Sequence, residues 1–277
     1  MPIKLIAETA AHHGGDYDFM LKLIDAISES DADIVKVHVT QNIDEYMDPS
    51  HAVYNLLKGW IFSAPQWSEI FNRIAGASKS LMTLVNDTEA VELAAIYNPA
   101  YFEIHSVALN DLNLLAAVKA NLTPSNKIVL GVGGSTLEEV ESAITRLDTD
   151  RVMLMFGFQN YPTRYEDVNF QKMRRIMQLF PQYEFGYADH TAWNEPNNVL
   201  ITLLGAALGV KFIEKHVTLE CGFDRIDSSA AISFDQFQQV VDGIKILDAC
   251  NGNGRLELNA GERKYCDYGP MKKGPVL

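Results

Sequence analysis

Several features of common protein classes are scarce or missing in this sequence of 277 residues. It has three cysteines, Cys221, Cys250 and Cys266, which form neither a CxxC pair nor a zinc-type spacing. This excludes a disulfide framework and favours a reducing compartment. No apolar run approaches the roughly 20 residues of a membrane helix, and the N-terminus lacks the apolar core of a signal peptide. We therefore expect a soluble, cytoplasmic protein.

Positively charged residues are also scarce relative to acidic ones. The 36 acidic residues outnumber the 23 lysines and arginines, which gives a formal net charge of −13. Such a charge argues against nucleic acids and anionic membrane surfaces as partners. Anionic small molecules stay open as ligands, because one lysine or metal ion can reverse the potential inside a pocket.

Apolar strand-like runs alternate with amphipathic helical patterns through most of the chain. The sequence predicts eight strands, at 3–8, 34–39, 81–85, 101–106, 127–132, 151–158, 183–190 and 211–217. Eight such units in about 250 residues favour a single-domain (β/α)8 TIM barrel over 1–250, followed by an irregular tail over 251–277. A Rossmann-like sheet is the alternative, but no GxGxxG motif follows the first strand. Residues 41–66 form a long insertion rich in aromatics, which is a candidate lid or wall.

Histidines collect at the predicted carboxyl ends of the strands, where barrel enzymes carry their active sites. Six of the seven lie at or just after such ends: His12, His13, His38, His105, His190 and His216. Neighbouring strands lie about 4.8 Å apart, so His190 and His216 could share a metal ion. Two imidazoles suit Mn, Fe, Co or Zn, whereas Mg prefers more oxygen ligands. A hydrogen-bonded pair of histidines is the alternative.

Two charged residues, Glu8 and Lys36, stand in otherwise apolar strands. A buried charge must be paired or functional. The pair could therefore be a structural salt bridge. Alternatively, Lys36 anchors an anionic group of a substrate, and Glu8 positions or deprotonates a hydroxyl. The glycine-rich turn "GVGGST", which contains Gly133 and Gly134, could cradle a phosphate with its N–H groups or could be a tight turn.

Seven segments, in this order, resemble the sialic acid synthase family: "LIAETAAHHGGD", "DIVKVH", "FEIHSVALNDLNLL", "KIVLGVGGSTLEEV", "NYPTRYEDVNF", "GYADHT" and "GAALGVKFIEKHVTLECGFD". The resemblance implies a barrel enzyme that condenses phosphoenolpyruvate with an aldose to give a 2-keto-3-deoxy sugar acid, using a divalent metal (Mn, Mg, Co or Zn). It implies that His190 and His216 bind the metal and act in catalysis together with Glu8 and Lys36. By the same resemblance, Lys36 contacts phosphoenolpyruvate. The residues that we expect to bind substrates are His13, Ser106, Gly133, Gly134, Gln159, Asn160, Tyr161, Asp189, Lys215 and Asp224.

The sequence also departs from the pattern of that family. Glu103 stands where the family has a lysine, and Ala188 stands where it has a serine before the Asp-His pair. The antifreeze-like C-terminal domain of the family is absent from the sequence. These departures leave two alternatives open: a divalent-metal aldolase or lyase that acts on a 2-oxo acid without phosphoenolpyruvate, and a non-catalytic sugar-binding barrel. A homodimer is possible.

Overall fold

Eight parallel strands close into a barrel in which each strand pairs with its neighbours in the sequence and β1 pairs with β8. The computed structural model describes residues 2–157 and 160–266, with side chains up to residue 264. The strands are β1 Lys4–Glu8, β2 Ile34–Val39, β3 Ser80–Val85, β4 Tyr101–Ile104, β5 Lys127–Gly131, β6 Val152–Phe156, β7 Glu184–Ala188 and β8 Phe212–His216. The predicted (β/α)8 barrel is confirmed, although most strands end one or two residues before the predicted position.

Helices surround the barrel and connect its strands. They are α1 Tyr17–Glu29, α2 Ile43–Tyr46, α3 Tyr54–Lys58, α4 Ala64–Gly76, α5 Thr88–Ala95, α6 Leu112–Ala120, α7 Leu137–Leu147, α8 Tyr165–Val168, α9 Phe170–Leu179, α10 Asn198–Ala206, α11 Phe234–Asn251 and α12 Ala260–Cys266. None of the helices in the described part of the chain is long and apolar enough to cross a membrane.

Local sequence signals explain why these helices form. In α1, Met20, Leu23, Ile24 and Ile27 recur at helical spacing and are all fully buried against the barrel. Burial of each such side chain stabilises the fold by about 1.5–3 kcal/mol. At its N-terminus, the Asp16 carboxylate accepts a hydrogen bond from the N–H of Phe19 at 3.0 Å.

The side chains inside the barrel follow the two-residue period of its strands. Inside the barrel, an apolar cluster consists of Ile6, Ile34, Met82, Tyr101, Val129, Met153, Met155, Ala188 and Phe212. Glu8 pairs in register with Lys36 on one side and with His216 on the other. These three residues therefore lie at one level, at the carboxyl end of the barrel.

Two segments lie outside the regular βα rhythm. The insertion at 41–66 contains the short helices α2 and α3 and lies over the carboxyl end of the barrel. Within the predicted irregular tail, residues 260–266 form the helix α12. The reason is a reciprocal cap, since Asn259 accepts from the N–H of Glu262 at 3.0 Å and its own N–H donates to the Glu262 carboxylate at 2.6 Å.

Candidate active site

A cavity of about 380 Å³ opens at the carboxyl ends of the strands. Its inner end carries the charged and imidazole side chains of Glu8, Lys36, His190 and His216. The insertion at 41–66 forms one of its outer walls. A TIM barrel holds its chemistry at this end, so this cavity is the candidate active site.

At the inner end of the cavity, one ammonium group is surrounded by three carboxylates. Lys36 Nζ lies 2.8 Å from Glu103 Oε2, 3.0 Å from Glu214 Oε1 and 3.3 Å from Glu8 Oε2. Lys36 is 3% exposed. Burial opposes its charge, but the carboxylates of Glu103, Glu214 and Glu8 together raise its pKa well above the ordinary value. An ammonium has three N–H donors, and three acceptors already surround this one.

The same cluster has more carboxylates than cations. Burial and the neighbouring charge of Glu8 raise the pKa of Glu214 well above its ordinary value. Burial also raises the pKa of Glu103, although Lys36 opposes that shift. For Glu8 the balance is the reverse: burial would raise its pKa, but Lys36 and His216 outweigh burial and hold it well below the ordinary value. Of the three carboxyl groups, Glu8 is the one whose pKa is held below its ordinary value.

Two imidazoles converge on Glu8. The Nε2 atoms of His190 and His216 lie 3.2 Å apart, and His216 Nε2 is 3.3 Å from Glu8 Oε2. His38 Nε2 contacts the other oxygen of this carboxylate, Oε1. Within the described residues, Glu8, His190 and His216 form one group whose potential ligand atoms all lie within 4.8 Å of one another. These three side chains could hold a metal ion.

The donor set fits a divalent cation on physical grounds. Glu8 Oε2 is buried and makes no hydrogen bond of good geometry within the described residues. Burial, and then the nearby His216, lower the pKa of His190 well below its ordinary value, so its imidazole is neutral, as a metal ligand must be. The sequence predicted the two histidines as ligands and gave Glu8 a different role. Closure of the barrel adds Glu8 to the two histidines, because it makes β1 the neighbour of β8.

Two predicted substrate residues, Asp189 and Lys215, point away from the cavity. Lys215 Nζ lies 3.0 Å from Asp189 Oδ2, and both side chains are fully buried between the barrel and α10. Thr202 and Thr191 donate to the same carboxylate at 2.6 and 2.7 Å, and Lys215 also donates to Asn198 at 3.1 Å. Neither side chain lines the cavity, and their predicted binding of substrate stays a prediction. Residues next to each other in a strand face opposite sides, so an inward histidine forces its neighbour outward.

Of the remaining residues that were predicted to bind substrate, some line the cavity and others do not. His13, Ser106, Gly133 and Tyr161 line the cavity. Gly134 instead lines a separate depression beside α9. Gln159 lies outside the described residues.

Asn160 and Asp224 do not line the cavity. Asn160 donates to Asp167 at 3.0 Å at the surface. Asp224 is exposed, and Asp227 lies at the cavity in its place. Between them, Arg225 donates to the carbonyl of His13 at 2.8 Å and connects this loop to the first one.

Sequence reasoning missed the roles of Glu214, Glu103 and His38. Glu214 and His38 lie two residues from His216 and Lys36, on the same strands. The two-residue period would have placed both inside the barrel. Glu103 departs from the family pattern, but its contact with Lys36 joins β4 to β2 past β3 and is not visible in either strand alone.

Comparisons with known proteins agree with this architecture. Residues 23–256 match the model of the NeuB family. The chain is 26% identical to the pseudaminic acid synthase of Campylobacter jejuni, over 92% of this chain and 76% of that protein. It is 24% identical to the N,N'-diacetyllegionaminic acid synthase of Legionella pneumophila, over 93% of this chain and 76% of that one.

A solved structure shares the fold. The N-acetylneuraminic acid (sialic acid) synthetase of Leptospira borgpetersenii, in complex with citrate, superposes with a TM-score of 0.87 at 22% identity, covering 98% of this chain and 92% of that one. The family model spans most of the chain, and the resemblance seen in the sequence is confirmed. This chain belongs to the NeuB family, the family of the sialic acid synthases.

Proposed function

We propose that the protein condenses phosphoenolpyruvate with an aldose to give a 2-keto-3-deoxy sugar acid. The observation that carries this proposal is the convergence of Glu8, His190 and His216 at the inner end of the cavity, in a barrel of this family. Relatives named as synthases of pseudaminic and legionaminic acids support it. We also propose that the enzyme acts in the cytoplasm and forms a homodimer.

In this proposal, Glu8, His190 and His216 hold a divalent metal, for which Mn, Co and Zn suit the imidazoles better than Mg. When bound, the metal would polarise the carbonyl of the aldose as a Lewis acid. Tyr161 stands beside this group, with its hydroxyl 3.4 Å from His216 Nδ1 and donating to the carbonyl of Asp227. It would orient His216 and close one side of the site. Ser106 and Gly133 line the cavity on the side of β4 and β5, where they would meet the donor.

Lys36 has a less direct role than its position suggests. Three carboxyl groups lie within 3.3 Å of its ammonium, and Glu214 already accepts a hydrogen bond from it, so they would compete with a phosphate for its N–H donors. This observation favours a second candidate, a divalent-metal aldolase or lyase that acts on a 2-oxo acid without phosphoenolpyruvate. A 2-oxo acid carries a single carboxylate and no phosphate, so it needs fewer cationic partners.

Release of phosphate tests the first candidate against the second. Purified protein with Mn²⁺ and phosphoenolpyruvate is incubated with a panel of aldoses, beside His190→Ala, His216→Ala and the control His51→Ala, which changes an exposed histidine away from the cavity. We expect phosphate release that requires an aldose, disappears in the first two variants and persists in the control. Release from no aldose, combined with cleavage or formation of a 2-oxo acid aldol, would favour the second candidate. Sugar binding without either reaction would indicate a non-catalytic barrel.

A further inference from the structure

The helix α10 turns polar side chains inward and leucines outward. Asn198 and Thr202 are buried, whereas Leu200 is 51% exposed and Leu204 is 46% exposed. A surface helix of a globular protein normally has the opposite arrangement, with its apolar stripe against the core and its polar residues in water. Packing within the described chain therefore leaves an apolar side of α10 in contact with water.

The buried ion pair of Lys215 and Asp189 is the reason for this orientation. Asn198 accepts a hydrogen bond from Lys215 at 3.1 Å, and Thr202 donates to Asp189 at 2.6 Å. Buried charges need such partners, so the polar side of α10 must face the barrel. A Cβ at Gly205 would lie 2.1 Å from the tyrosine ring of β7, so this close contact also fixes the rotation of the helix. The leucines consequently cannot turn inward.

The neighbouring helix α11 extends the apolar surface. Leu203 of α10 packs on Gly243 of α11, where a Cβ would lie 2.5 Å from the leucine Cδ1. Less than one turn further along α11, Ile246 is 65% exposed. Lys245 points the other way, because it pairs with Asp31 at 3.1 Å in the loop between α1 and β2. We call the exposed surface the α10–α11 patch, which consists of Leu200, Leu204 and Ile246.

Charged residues are absent from α10 and the segments on either side of it. Residues 196–210 contain no Asp, Glu, Lys or Arg, although 21% of the chain is charged. Each copy of the chain has a net charge of −13, so two copies repel each other unless they meet at a surface without carboxylates. A membrane-binding helix would instead carry Lys and Arg beside its apolar residues. An uncharged apolar patch of this kind therefore fits a second copy of the chain.

We propose that the α10–α11 patch is the contact surface of the homodimer, with α10 of one copy antiparallel to α10 of the other. Across the two-fold axis, Leu200 of each copy then meets Leu204 of the other, and both side chains leave water. This inference extends the proposed homodimer and uses no part of the proposed reaction.

The size of the patch sets the expected strength of the dimer. The helix α10 has 9 residues and is about 14 Å long, and α11 has 18 residues and is about 27 Å long. Two helices of these lengths provide an area at the low end of specific interfaces, which bury less than about 600 Å² per partner. We therefore expect a reversible dimer with a Kd in the micromolar range.

Sedimentation equilibrium of the full chain, at micromolar to millimolar concentrations, tests the proposal. Leu204→Glu changes a side chain that is exposed in the single chain and places two like charges near the two-fold axis. We expect it to raise the Kd of the dimer at least about 100-fold, and Leu200→Glu to act similarly. Ile96→Glu is the matched control, because it makes the same change at a residue 75% exposed at the end of α5. Circular dichroism checks the fold of each variant.

Added salt provides a second measurement on the wild type. Screening reduces the repulsion between two copies of net charge −13, so we expect NaCl to strengthen the dimer. A dimer held by ion pairs would instead weaken as salt is added, and that result would contradict an apolar contact surface.

The possible failures can be told apart. A wild type that stays monomeric at every concentration would contradict both the homodimer and its surface. A dimer that Leu204→Glu leaves intact, or that Ile96→Glu weakens equally, would retain the homodimer and overturn the inference. Binding of the monomer to phosphatidylcholine vesicles, abolished by Leu204→Glu, would assign the patch to a membrane and also overturn it. Phosphate release is measured separately, so none of these results is confused with a failure of the synthase reaction.

Discussion

Two lysines are buried in the described part of the chain, and their surroundings differ in a way that separates a site from a structural ion pair. Lys215, outside the barrel wall, faces one carboxylate, that of Asp189, at 3.0 Å. Lys36, inside the barrel, faces three carboxylates within 3.3 Å. The outer pair is neutral, and hydroxyl and amide groups complete its hydrogen bonds. The inner cluster contains more carboxyl groups than its one lysine can balance.

The pKa shifts of the two lysines reflect this difference. Burial lowers the pKa of Lys215 below its ordinary value, and Asp189 only partly offsets it. Burial acts on Lys36 as well, but there the three carboxylates prevail and its pKa rises. Surplus buried charge is costly unless a partner compensates it. The inner cluster therefore has the electrostatics of a cation site, and the outer pair has those of a structural ion pair.

The largest expected effect comes from removing the inner ammonium. Lys36→Met leaves Glu8, Glu103 and Glu214 without their cation, and we expect the free energy of unfolding to fall by at least about 3–5 kcal/mol. Urea unfolding with and without Mn²⁺ measures it. Added Mn²⁺ should recover part of the loss, because a cation bound at Glu8 replaces some of the missing charge. A loss in the free energy of unfolding below about 1 kcal/mol, or one that Mn²⁺ leaves unchanged, would contradict the surplus of carboxyl groups over cations in the inner cluster.

The outer pair should respond differently. Lys215→Met leaves Asp189 buried and unpaired, so we expect a loss of about 3 kcal/mol in the free energy of unfolding. Here Mn²⁺ should recover nothing beyond its effect on the wild type. Adding Asp189→Asn to Lys215→Met should cost less than the sum of the single changes. If Mn²⁺ restored as much stability to Lys215→Met as to Lys36→Met, the distinction between the two lysines would be contradicted.

The smallest effect concerns the departure at position 103. Glu103→Gln removes one of the three carboxylate charges around Lys36 while it keeps the shape of the side chain. We expect the KM for phosphoenolpyruvate to fall about fivefold, since one unit charge near the anion is worth about 1 kcal/mol. Steady-state kinetics at saturating aldose measures it, with Glu69→Gln at the surface as the control. An unchanged or increased KM would show that Glu103 does not repel the donor.

The sequence predicted the fold well because the barrel depends on local patterns. Eight apolar runs and the helices between them suffice to indicate (β/α)8 closure. His190 and His216 were found for the same reason, since each follows a strand pattern. Asp189 and Lys215 neighbour the two histidines in the sequence but lie outside the cavity, because adjacent residues of a strand face opposite sides.

Other features depend on contacts that no local pattern records. Glu8 joins the histidines only because β1 closes on β8, and Glu103 on β4 reaches Lys36 on β2 past the strand between them. The insertion at 41–66 was predicted as a lid or wall from its length and aromatics. Its position as an apolar wall depends on the packing of Trp60 and Phe62 on the first loop.

The central claim is that the inner cluster is a site for a divalent cation. Titration of the metal-free protein with Mn²⁺ by calorimetry tests it most directly, with Glu8→Gln, His190→Ala and His216→Ala beside the control His51→Ala. We predict one Mn²⁺ per chain in the wild type and the control, and affinity reduced more than about 100-fold in each of the three variants. A wild type that binds no Mn²⁺, or variants that bind it as tightly as the wild type, would contradict the account.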